Sequence, residues 1–190
     1  MILENSFGKE MMMAKIQCMA KVTEVSVLAE GIVSMWLSAS GVAKSAKPGQ
    51  FISLYCDNSD TLLPRPISLC EVNQKDGLLR IVFRIVGAGT KEFAAKKKDD
   101  EIRILGPLGN GFPLDACEKD KTAVLIGGGI GIPPLLELAK QLPCKTTVVV
   151  GYRNADAFLR EELEEAADRV VIASDDGSIG IKGTVLDAME

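Results

Sequence analysis

The pattern of apolar residues changes once along this chain, near residue 118, and this change constrains the fold more than any other feature. Before it, short β-branched or alternating runs are separated by turn residues such as Lys47-Pro48-Gly49-Gln50 and Lys75-Asp76-Gly77. Many short strands at this spacing predict a barrel or a sandwich. The predicted strands are 17–27, 33–38, 51–56, 67–72, 79–86 and 101–105, with one helix interrupting them at 91–97.

Beyond residue 118, continuous apolar strands alternate with segments of helical length. The predicted strands are 122–126, 146–151 and 170–173, and the predicted helices are 133–142 and 157–167. This alternation predicts a parallel sheet with right-handed crossovers. Such a sheet usually needs more strands to complete its ligand-binding crevice, and residues 185–190 only begin another helix. We therefore expect the second domain to be truncated, or the chain to be a fragment of a longer protein.

Composition and charge exclude several classes of function. The 22 Lys and Arg residues against 26 Asp and Glu give a net charge of −4 and no basic surface for nucleic acid. Lys96-Lys97-Lys98 is followed at once by acidic residues and predicts a solvated turn. No apolar run approaches the ~20 residues of a membrane helix, and the N-terminus lacks the pattern of a signal peptide. Met11-Met12-Met13 suggests that translation begins there, so residues 1–13 are expected to be a disordered leader and the cytoplasm is the expected compartment.

Cysteine and histidine usage limits the chemistry of the side chains. The five cysteines, which lack C-x-x-C spacing, are Cys18, Cys56, Cys70, Cys117 and Cys144. Their odd number within apolar segments argues against a disulfide framework and a metal site, and predicts buried free thiols. The chain has no histidine, so Ser-His and Cys-His nucleophile pairs and the commonest general base are excluded. A bound cofactor is therefore expected to supply the chemistry.

A rigid segment around Arg65 begins the first candidate binding site. Arg65 offers a fork of donors suited to a pyrophosphate, and Pro64 and Pro66 fix the backbone beside it. Ser68 falls on an outward strand position, where its hydroxyl could bind the polar edge of an isoalloxazine ring. Gly87-Ala88-Gly89-Thr90 would let backbone amides approach phosphate at the start of a helix. Each signal alone is more often structural, but their order within one barrel-like domain favours a flavin site.

A second glycine-rich loop, Gly127-Gly128-Gly129-Ile130-Gly131, lies between an apolar strand and a helix, which predicts a pyrophosphate site. Ile132-Pro133-Pro134 replaces the third glycine of the Rossmann fingerprint, and no acidic residue ends the second strand. A ferredoxin-reductase-type module is therefore favoured. Arg153 could meet a 2′-phosphate, although a surface arginine is the commoner explanation. Asp175 and Asp176 could accept hydrogen bonds from ribose or carboxamide groups, or form an ordinary Asp-Gly turn. Two nucleotide sites in series predict an electron carrier, with NAD or NADP left open.

From about Ala14 onward, the chain resembles the electron-transfer subunits of NAD-dependent bacterial dihydroorotate dehydrogenases, in the ferredoxin-reductase superfamily. The segments that carry the resemblance are Arg65-Pro66-Ile67-Ser68, Gly89-Thr90, Gly106-Pro107-Leu108-Gly109-Asn110-Gly111-Phe112 and Gly127-Gly128-Gly129-Ile130-Gly131. The resemblance implies a six-stranded antiparallel β-barrel at 14–116 that binds FAD, followed by a parallel α/β nucleotide-binding domain at 120–190, incomplete at its C-terminus, that binds NAD. The implied FAD-binding residues are Arg65, Pro66, Ile67, Ser68, Val82, Phe83, Arg84, Gly89 and Thr90. The predicted NAD-binding residues are Gly127, Gly128, Gly129, Ile130, Gly131, Asp175 and Asp176.

The resemblance also implies an activity and a partner. A catalytic subunit would oxidise dihydroorotate, in pyrimidine biosynthesis, and its electrons would reach NAD⁺ through a [2Fe–2S] cluster and FAD. No side chain is predicted to be catalytic, because the flavin carries the redox chemistry. The family holds its cluster on four closely spaced cysteines near the C-terminus, and this sequence has no such group. Two alternatives stay open: a small flavin subunit of a hydrogenase or of a ferredoxin:NADP oxidoreductase, and a truncated, non-catalytic flavin-binding or interaction module.

Overall fold

A computed structural model describes residues 15–57 and 62–189 of the chain, so the predicted leader at 1–13 lies outside the described residues. The strands in the first half are β1 (Ile16–Ala29), β2 (Ile32–Ser38), β3 (Phe51–Leu54), β4 (Arg65–Asn73), β5 (Leu78–Arg84) and β6 (Glu101–Leu108). Two short helices, α1 (Ser40–Ala43) and α2 (Ala88–Ala94), lie between them. The second half contains β7 (Thr122–Gly128), α3 (Pro133–Gln141), β8 (Lys145–Tyr152), α4 (Arg160–Ala166), β9 (Arg169–Ser174) and β10 (Ile181–Lys182).

The first six strands close into an antiparallel barrel in the order β1-β2-β5-β4-β3-β6. Alternate residues of each strand point inward, as the period of a strand requires, and fill the interior with apolar side chains. Phe83 of β5 meets Phe93 of α2 edge-to-face at a ring separation of 6.5 Å, so α2 closes against the barrel core. The prediction of a six-stranded antiparallel barrel is confirmed.

The segment 106–112 stabilises the barrel itself. The Phe112 amide donates to the Pro48 carbonyl at 2.8 Å, and the Gln50 side chain donates to the Gly109 carbonyl at 2.7 Å. Gly49 has a φ of +81°, and a Cβ there would lie 2.5 Å from the Phe112 ring. The motif therefore holds the turn before β3 against the chain that leaves β6.

The second half forms a parallel sheet in the order β10-β9-β8-β7, which confirms the predicted α/β architecture. Its helices share one core: Leu136 of α3 and Leu163 of α4 are fully buried together with Val148 of β8. Right-handed crossovers between strands added in one direction place both helices on the same face.

The helix predicted at 185–190 is wrong. Residues Asp187–Met189 form a single 3₁₀ turn, because the Asp187 carboxylate accepts hydrogen bonds from the Thr184 amide at 2.6 Å and hydroxyl at 2.8 Å. The two-residue strand β10, which lies parallel to the end of β9, was not predicted either. Both of its residues are exposed, so it gives no apolar signal in the sequence.

No helix among residues 15–57 and 62–189 is long and apolar enough to cross a membrane.

The cysteines are divided between free thiols and one disulfide. Cys56 and Cys70 are buried free thiols, as predicted, and Cys18 is a half-buried free thiol. Cys117 and Cys144 are joined as a disulfide with a Cα–Cα separation of 6.2 Å, so the free-thiol prediction is wrong for this pair. The fold brings the linker after the barrel next to the turn before β8, and a sequence separation of 27 residues does not reveal that proximity.

The barrel and the α/β domain share an apolar core. Ile32, Cys70 and Val82, on the outer face of the barrel, are buried in the same cluster as Leu136 and Leu163. Burial of this kind favours one relative position of the two domains. Separating them would expose apolar surface to water, at a free-energy cost of about 25 cal/mol for each Å² exposed.

Candidate functional site

Three elements that carry predicted site residues meet at one end of the barrel. Arg65 is the first residue of β4 and Arg84 is the last residue of β5. The two strands pair antiparallel from Leu69 to Asn73, so the start of β4 and the end of β5 lie at the same end of the barrel. Helix α2 begins at Ala88, four residues after Arg84. The fold thereby gathers segments that are separated by about twenty positions in the sequence.

The Arg65 side chain lies against the start of α2. A Cβ on Gly89 would lie 2.9 Å from Arg65 Nε and 3.0 Å from Cys56 Sγ. Glycine is therefore needed at position 89 for the guanidinium to approach the helix this closely. One Arg65 nitrogen, Nη1, donates to the Leu63 carbonyl, which fixes the side chain beside the helix. Both a cation and a helix start favour a negative charge, so the cradle formed by Arg65 and Gly89 is suited to a phosphate group.

Thr90 has a structural role at the same place. Its hydroxyl accepts hydrogen bonds from the amides of Val86 at 2.9 Å and Gly87 at 3.1 Å, and it donates to the Gly87 carbonyl. The first helical hydrogen bond runs from the Lys91 amide to Gly87, so the preceding amides of the first turn have no helical acceptor. Those amides, rather than the Thr90 hydroxyl, are the groups suited to an anion.

The other predicted flavin residues lie in different environments. Pro66 and Ser68 are exposed on one face of β4, and Ile67 packs half-buried against the barrel core on the other. Val82 and Phe83 are buried, Val82 in the core shared by the domains and Phe83 in the barrel. Their side chains support the fold, and their contact with a cofactor stays a prediction.

A cleft of about 790 Å³ separates this end of the barrel from the α/β sheet. Its lining includes five of the predicted residues: Arg84, Gly128, Gly129, Ile130 and Asp175. Gly129 has a φ of +51°, and a Cβ there would lie 3.8 Å from Arg84 Nη2. The arginine of the flavin motif and the glycine loop of the nicotinamide motif therefore face each other across one cleft. This cleft lies at the carboxyl ends of β7, β8 and β9, the position where parallel sheets bind ligands.

Three predicted nicotinamide residues are not part of the lining. Gly127 faces α3, because a Cβ there would lie 2.7 Å from Leu135 Cδ1. Gly131 is likewise outside the lining. The Asp176 carboxylate accepts from the Ser178 amide at 2.9 Å and hydroxyl at 2.6 Å, and these bonds hold its pKa below the ordinary value. Asp176 thus organises the turn, while Asp175 reaches the cleft.

The cleft also contains residues that the sequence did not single out. They belong to the β1–β2 turn, to the segment after β8 and to the segment after β10: Glu30, Gly31, Ile32, Asn154, Asp156, Thr184 and Val185. Arg153, considered in the sequence as a phosphate ligand, lines the cleft as well. Buried Tyr152 donates to the Phe158 carbonyl at 2.9 Å, and its burial raises the pKa of the phenol. Among the seven cleft residues that the sequence did not single out, only Gly31 carries a sequence signal, because a glycine between two strands marks a tight turn.

Within the described ranges 15–57 and 62–189, no cluster of three or more His, Cys, Asp or Glu side chains could hold a metal ion.

Comparison with known proteins identifies the family. The electron transfer subunit of dihydroorotate dehydrogenase B (NAD(+)) from Geobacillus kaustophilus (strain HTA426) is 43% identical over 168 residues, 86% of this chain and 65% of the relative. The protein of the same name from Listeria innocua serovar 6a is 40% identical over 176 residues, 90% of this chain and 68% of that relative. The chain belongs to this family. The resemblance inferred from the motifs is confirmed, and the chain spans 65% of the length of the Geobacillus subunit. No protein-family model matches the chain.

Solved structures support the same fold. The NADH-dependent reduced ferredoxin-NADP oxidoreductase, described for flavin-based electron bifurcation, matches with a TM-score of 0.78 at 31% identity over 90% of this chain and 61% of that one. A ferredoxin NADP⁺ reductase from Neisseria gonorrhoeae, solved with bound FAD and NADP, matches with a TM-score of 0.72 at 18% identity over 88% and 73%. At that lower identity the likeness shows the fold alone. The chain of this dihydroorotate dehydrogenase B family therefore has a ferredoxin-reductase-like fold.

Proposed function

We propose that this chain binds FAD at residues 14–116 and NAD(H) at residues 120–190, and transfers electrons between NAD(H) and a catalytic dihydroorotate dehydrogenase subunit. The observation that carries the proposal is the position of Arg84 beside Gly129 in one cleft. A cofactor that contacts the end of β5 and a dinucleotide that contacts the glycine loop would meet there. FAD, when bound, supplies the redox chemistry, since it exchanges a hydride with NAD(H) and electrons with a partner.

The side chains of this chain bind and orient. Arg65, held by Leu63 and accommodated by Gly89, is assigned to the FAD pyrophosphate. Exposed Ser68 is assigned to the polar edge of the flavin ring, for which a hydroxyl can donate and accept. Neither role needs a proton transfer, which is consistent with a sequence that has no histidine.

The dinucleotide is assigned to the second domain. The loop 128–130 offers backbone groups at the end of β7, and Gly129 allows close approach because it has no side chain. Asp175 lies at the end of β9 on the same cleft and can accept from a ribose or carboxamide group. The relatives are named for NAD(+), and we extend this preference to the present chain.

The likeness to the NADH-dependent reduced ferredoxin-NADP oxidoreductase favours a second candidate, a flavin subunit that exchanges electrons with ferredoxin. The relatives named as dihydroorotate dehydrogenase subunits are more similar in sequence, at 40 to 43% against 31% identity. We therefore propose a catalytic dihydroorotate dehydrogenase subunit, rather than ferredoxin, as the first candidate for the electron partner.

The test begins with the absorption spectrum of the purified chain and the identity of any flavin released on denaturation. We expect stoichiometric FAD and bleaching of its absorption by NADH under anaerobic conditions. Iron and sulfide analysis of the same sample tests the expectation that this chain carries no cluster. Addition of a purified catalytic dihydroorotate dehydrogenase subunit with dihydroorotate, or of reduced ferredoxin, then distinguishes the two electron partners. A colourless protein that takes up no added FAD would refute the proposal.

A further inference from the structure

Helix α3 connects the two candidate binding sites. It begins at Pro133, directly after the glycine loop, and it packs against β4, the strand that carries Arg65 at its start. Glu137 lies in the middle of this helix between Leu136 and Leu138, and only 5% of it is exposed. A carboxylate at such a position is costly to bury unless its oxygens are hydrogen-bonded. The fold therefore gives Glu137 partners.

Both oxygens of the Glu137 carboxylate are occupied. Oε2 accepts a hydrogen bond from the Val72 amide of β4 at 2.9 Å, and Oε1 accepts one from the Gln141 side chain. Strand β3 pairs with β4 only along the stretch from Arg65 to Ser68. Beyond Ser68 this edge of β4 needs other partners, because buried backbone amides are almost always hydrogen-bonded. Glu137 supplies the acceptor for Val72 across the domain interface.

Charged side chains surround this hydrogen bond and connect the same elements. Arg80 of β5 donates to Glu71 of β4 at 2.6 Å and lies 3.4 Å from Glu162 of α4. Lys140, one turn beyond Glu137, also pairs with Glu71. The Glu137 bond differs from these pairs because it is made to the backbone of β4. A bond to a backbone amide fixes the helix relative to the strand itself rather than to a mobile side chain.

We propose that Glu137 is a positioning residue for electron transfer. It fixes α3 relative to β4, and thereby the glycine loop at the start of α3 relative to Arg65 and Arg84. The inference rests on the proposed function, because the consequence concerns the alignment of NAD(H) with FAD. Removal of the carboxylate leaves both binding segments intact but allows α3 to shift along β4. Since misplacement of reacting groups by about 1 Å can reduce a rate by ~100-fold, the transfer step should be affected more than binding.

The test uses Glu137→Leu, Glu137→Gln and the control Glu165→Leu, which removes an exposed glutamate of α4. In the chain without added cofactor, amide hydrogen exchange of Val72 and of residues 127–131 should become at least ~10-fold faster in Glu137→Leu and stay unchanged in the control. In the FAD-loaded chain, the limiting rate of flavin reduction by NADH should fall about tenfold or more, whereas FAD content and the Kd for NADH stay within about twofold. Glu137→Gln keeps one acceptor for Val72 and should recover most of the rate.

Two outcomes separate this inference from the proposed function. A wild-type chain that takes up no FAD, or that NADH does not reduce, refutes the proposed function. The inference alone is refuted if NADH reduces the flavin of the wild type and the Glu137→Leu variant shows the same limiting rate of reduction and the same hydrogen exchange in the glycine loop. Should Glu137→Leu fail to fold, Glu137→Met decides by the same comparison, because this side chain is close to glutamate in length but offers no carboxylate to the Val72 amide.

Discussion

At the scale of single residues, the contact between Arg65 and Gly89 makes a sharp prediction. Gly89→Ala places a Cβ 2.9 Å from Arg65 Nε and must displace the guanidinium. Loss of a charged hydrogen bond corresponds to about 1.5–3 kcal/mol, so FAD affinity should fall roughly 10- to 100-fold, as it should in Arg65→Ala. Titration of the apoprotein with FAD, followed by flavin fluorescence, measures the change. Gly41→Ala, in α1, should bind FAD like the wild type; equal affinity in Gly89→Ala would contradict the site.

The environment of Cys70 predicts its reactivity. Burial raises the pKa of this thiol to about 12, and its residue is fully buried between the barrel and α3. At pH 8 the group is therefore a protonated thiol that reagents do not reach, since the thiolate is the reactive form. We expect iodoacetamide to leave Cys70 unmodified in the native chain and to modify it after denaturation, as read by peptide mass spectrometry. Rapid labelling of the native protein would show that the interface opens.

At the scale of elements, sequence patterns predicted those segments whose burial follows a regular period. The six barrel strands alternate between core and surface, and β7 to β9 are apolar runs, so their bounds were found to within a few residues. The structure departs from the prediction where a local side-chain bond decides the conformation. The Asp187 carboxylate closes a turn with Thr184 in place of a helix, and the Thr90 hydroxyl starts α2 at Ala88, three residues before the predicted start. Such bonds depend on geometry that periodicity does not contain.

The charged cluster between β4, β5 and α3 predicts a pH dependence. Burial raises the pKa of Glu71, but hydrogen bonds from Lys140 and Arg80 outweigh it, so the net pKa lies below the ordinary value of 4.5. A carboxylate with a lowered folded-state pKa contributes stability that is present above the unfolded-state pKa and is lost as the pH falls through the folded-state value. Glu71→Gln should therefore lower the free energy of unfolding by about 1.5–3 kcal/mol at pH 7, the usual contribution of a hydrogen bond to a charged group.

The same comparison at lower pH tests whether the stability contributed by Glu71 is lost as the pH falls. The difference between the wild type and Glu71→Gln should stay constant from pH 7 down to about 5 and shrink below pH ~4.5, where the carboxylate of the unfolded chain takes up a proton, until the folded-state carboxylate is protonated as well. Urea denaturation at several pH values gives this difference directly. A difference that does not change with pH would mean that the charge of Glu71 contributes nothing to the interface.

At the scale of the whole molecule, the candidate site could be predicted only in part. The motifs indicated which segments are candidates for binding, because glycine and arginine at fixed positions have a direct chemical meaning. They did not show that Arg84 and Gly129 are neighbours, since their proximity depends on how the barrel and the α/β sheet pack together. Glu137 was missed for the same reason, although a glutamate inside the apolar run of α3 was a visible exception to its pattern. The sequence thus indicated the candidate segments, and the packing of the two domains determined how these segments face each other.

The shared core predicts that the two domains unfold together. Leu136 of α3 is fully buried among residues of both domains, among them Ile32 and Val82 of the barrel. Leu136→Ala should lower the free energy of unfolding by about 2–5 kcal/mol, and it removes contacts from both domains at once. Trp36, the single tryptophan, lies in the barrel strand β2, so its fluorescence reports the barrel. Far-UV circular dichroism at 222 nm follows the helices, of which two, α4 and the longest helix α3, belong to the other domain.

In the wild type, the two signals should give one coincident transition, which is the mark of a cooperative unit. In Leu136→Ala both midpoints should decrease, and any separation between them should appear first in this variant, because it removes apolar contact between the two domains. Leu69→Ala, deep in the barrel interior, is the matched control: it should lower both midpoints without separating them. Separate transitions already present in the wild type would mean that the interface does not fix the domains, and the alignment of Arg84 with Gly129 would then have to come from bound nucleotides rather than from the fold.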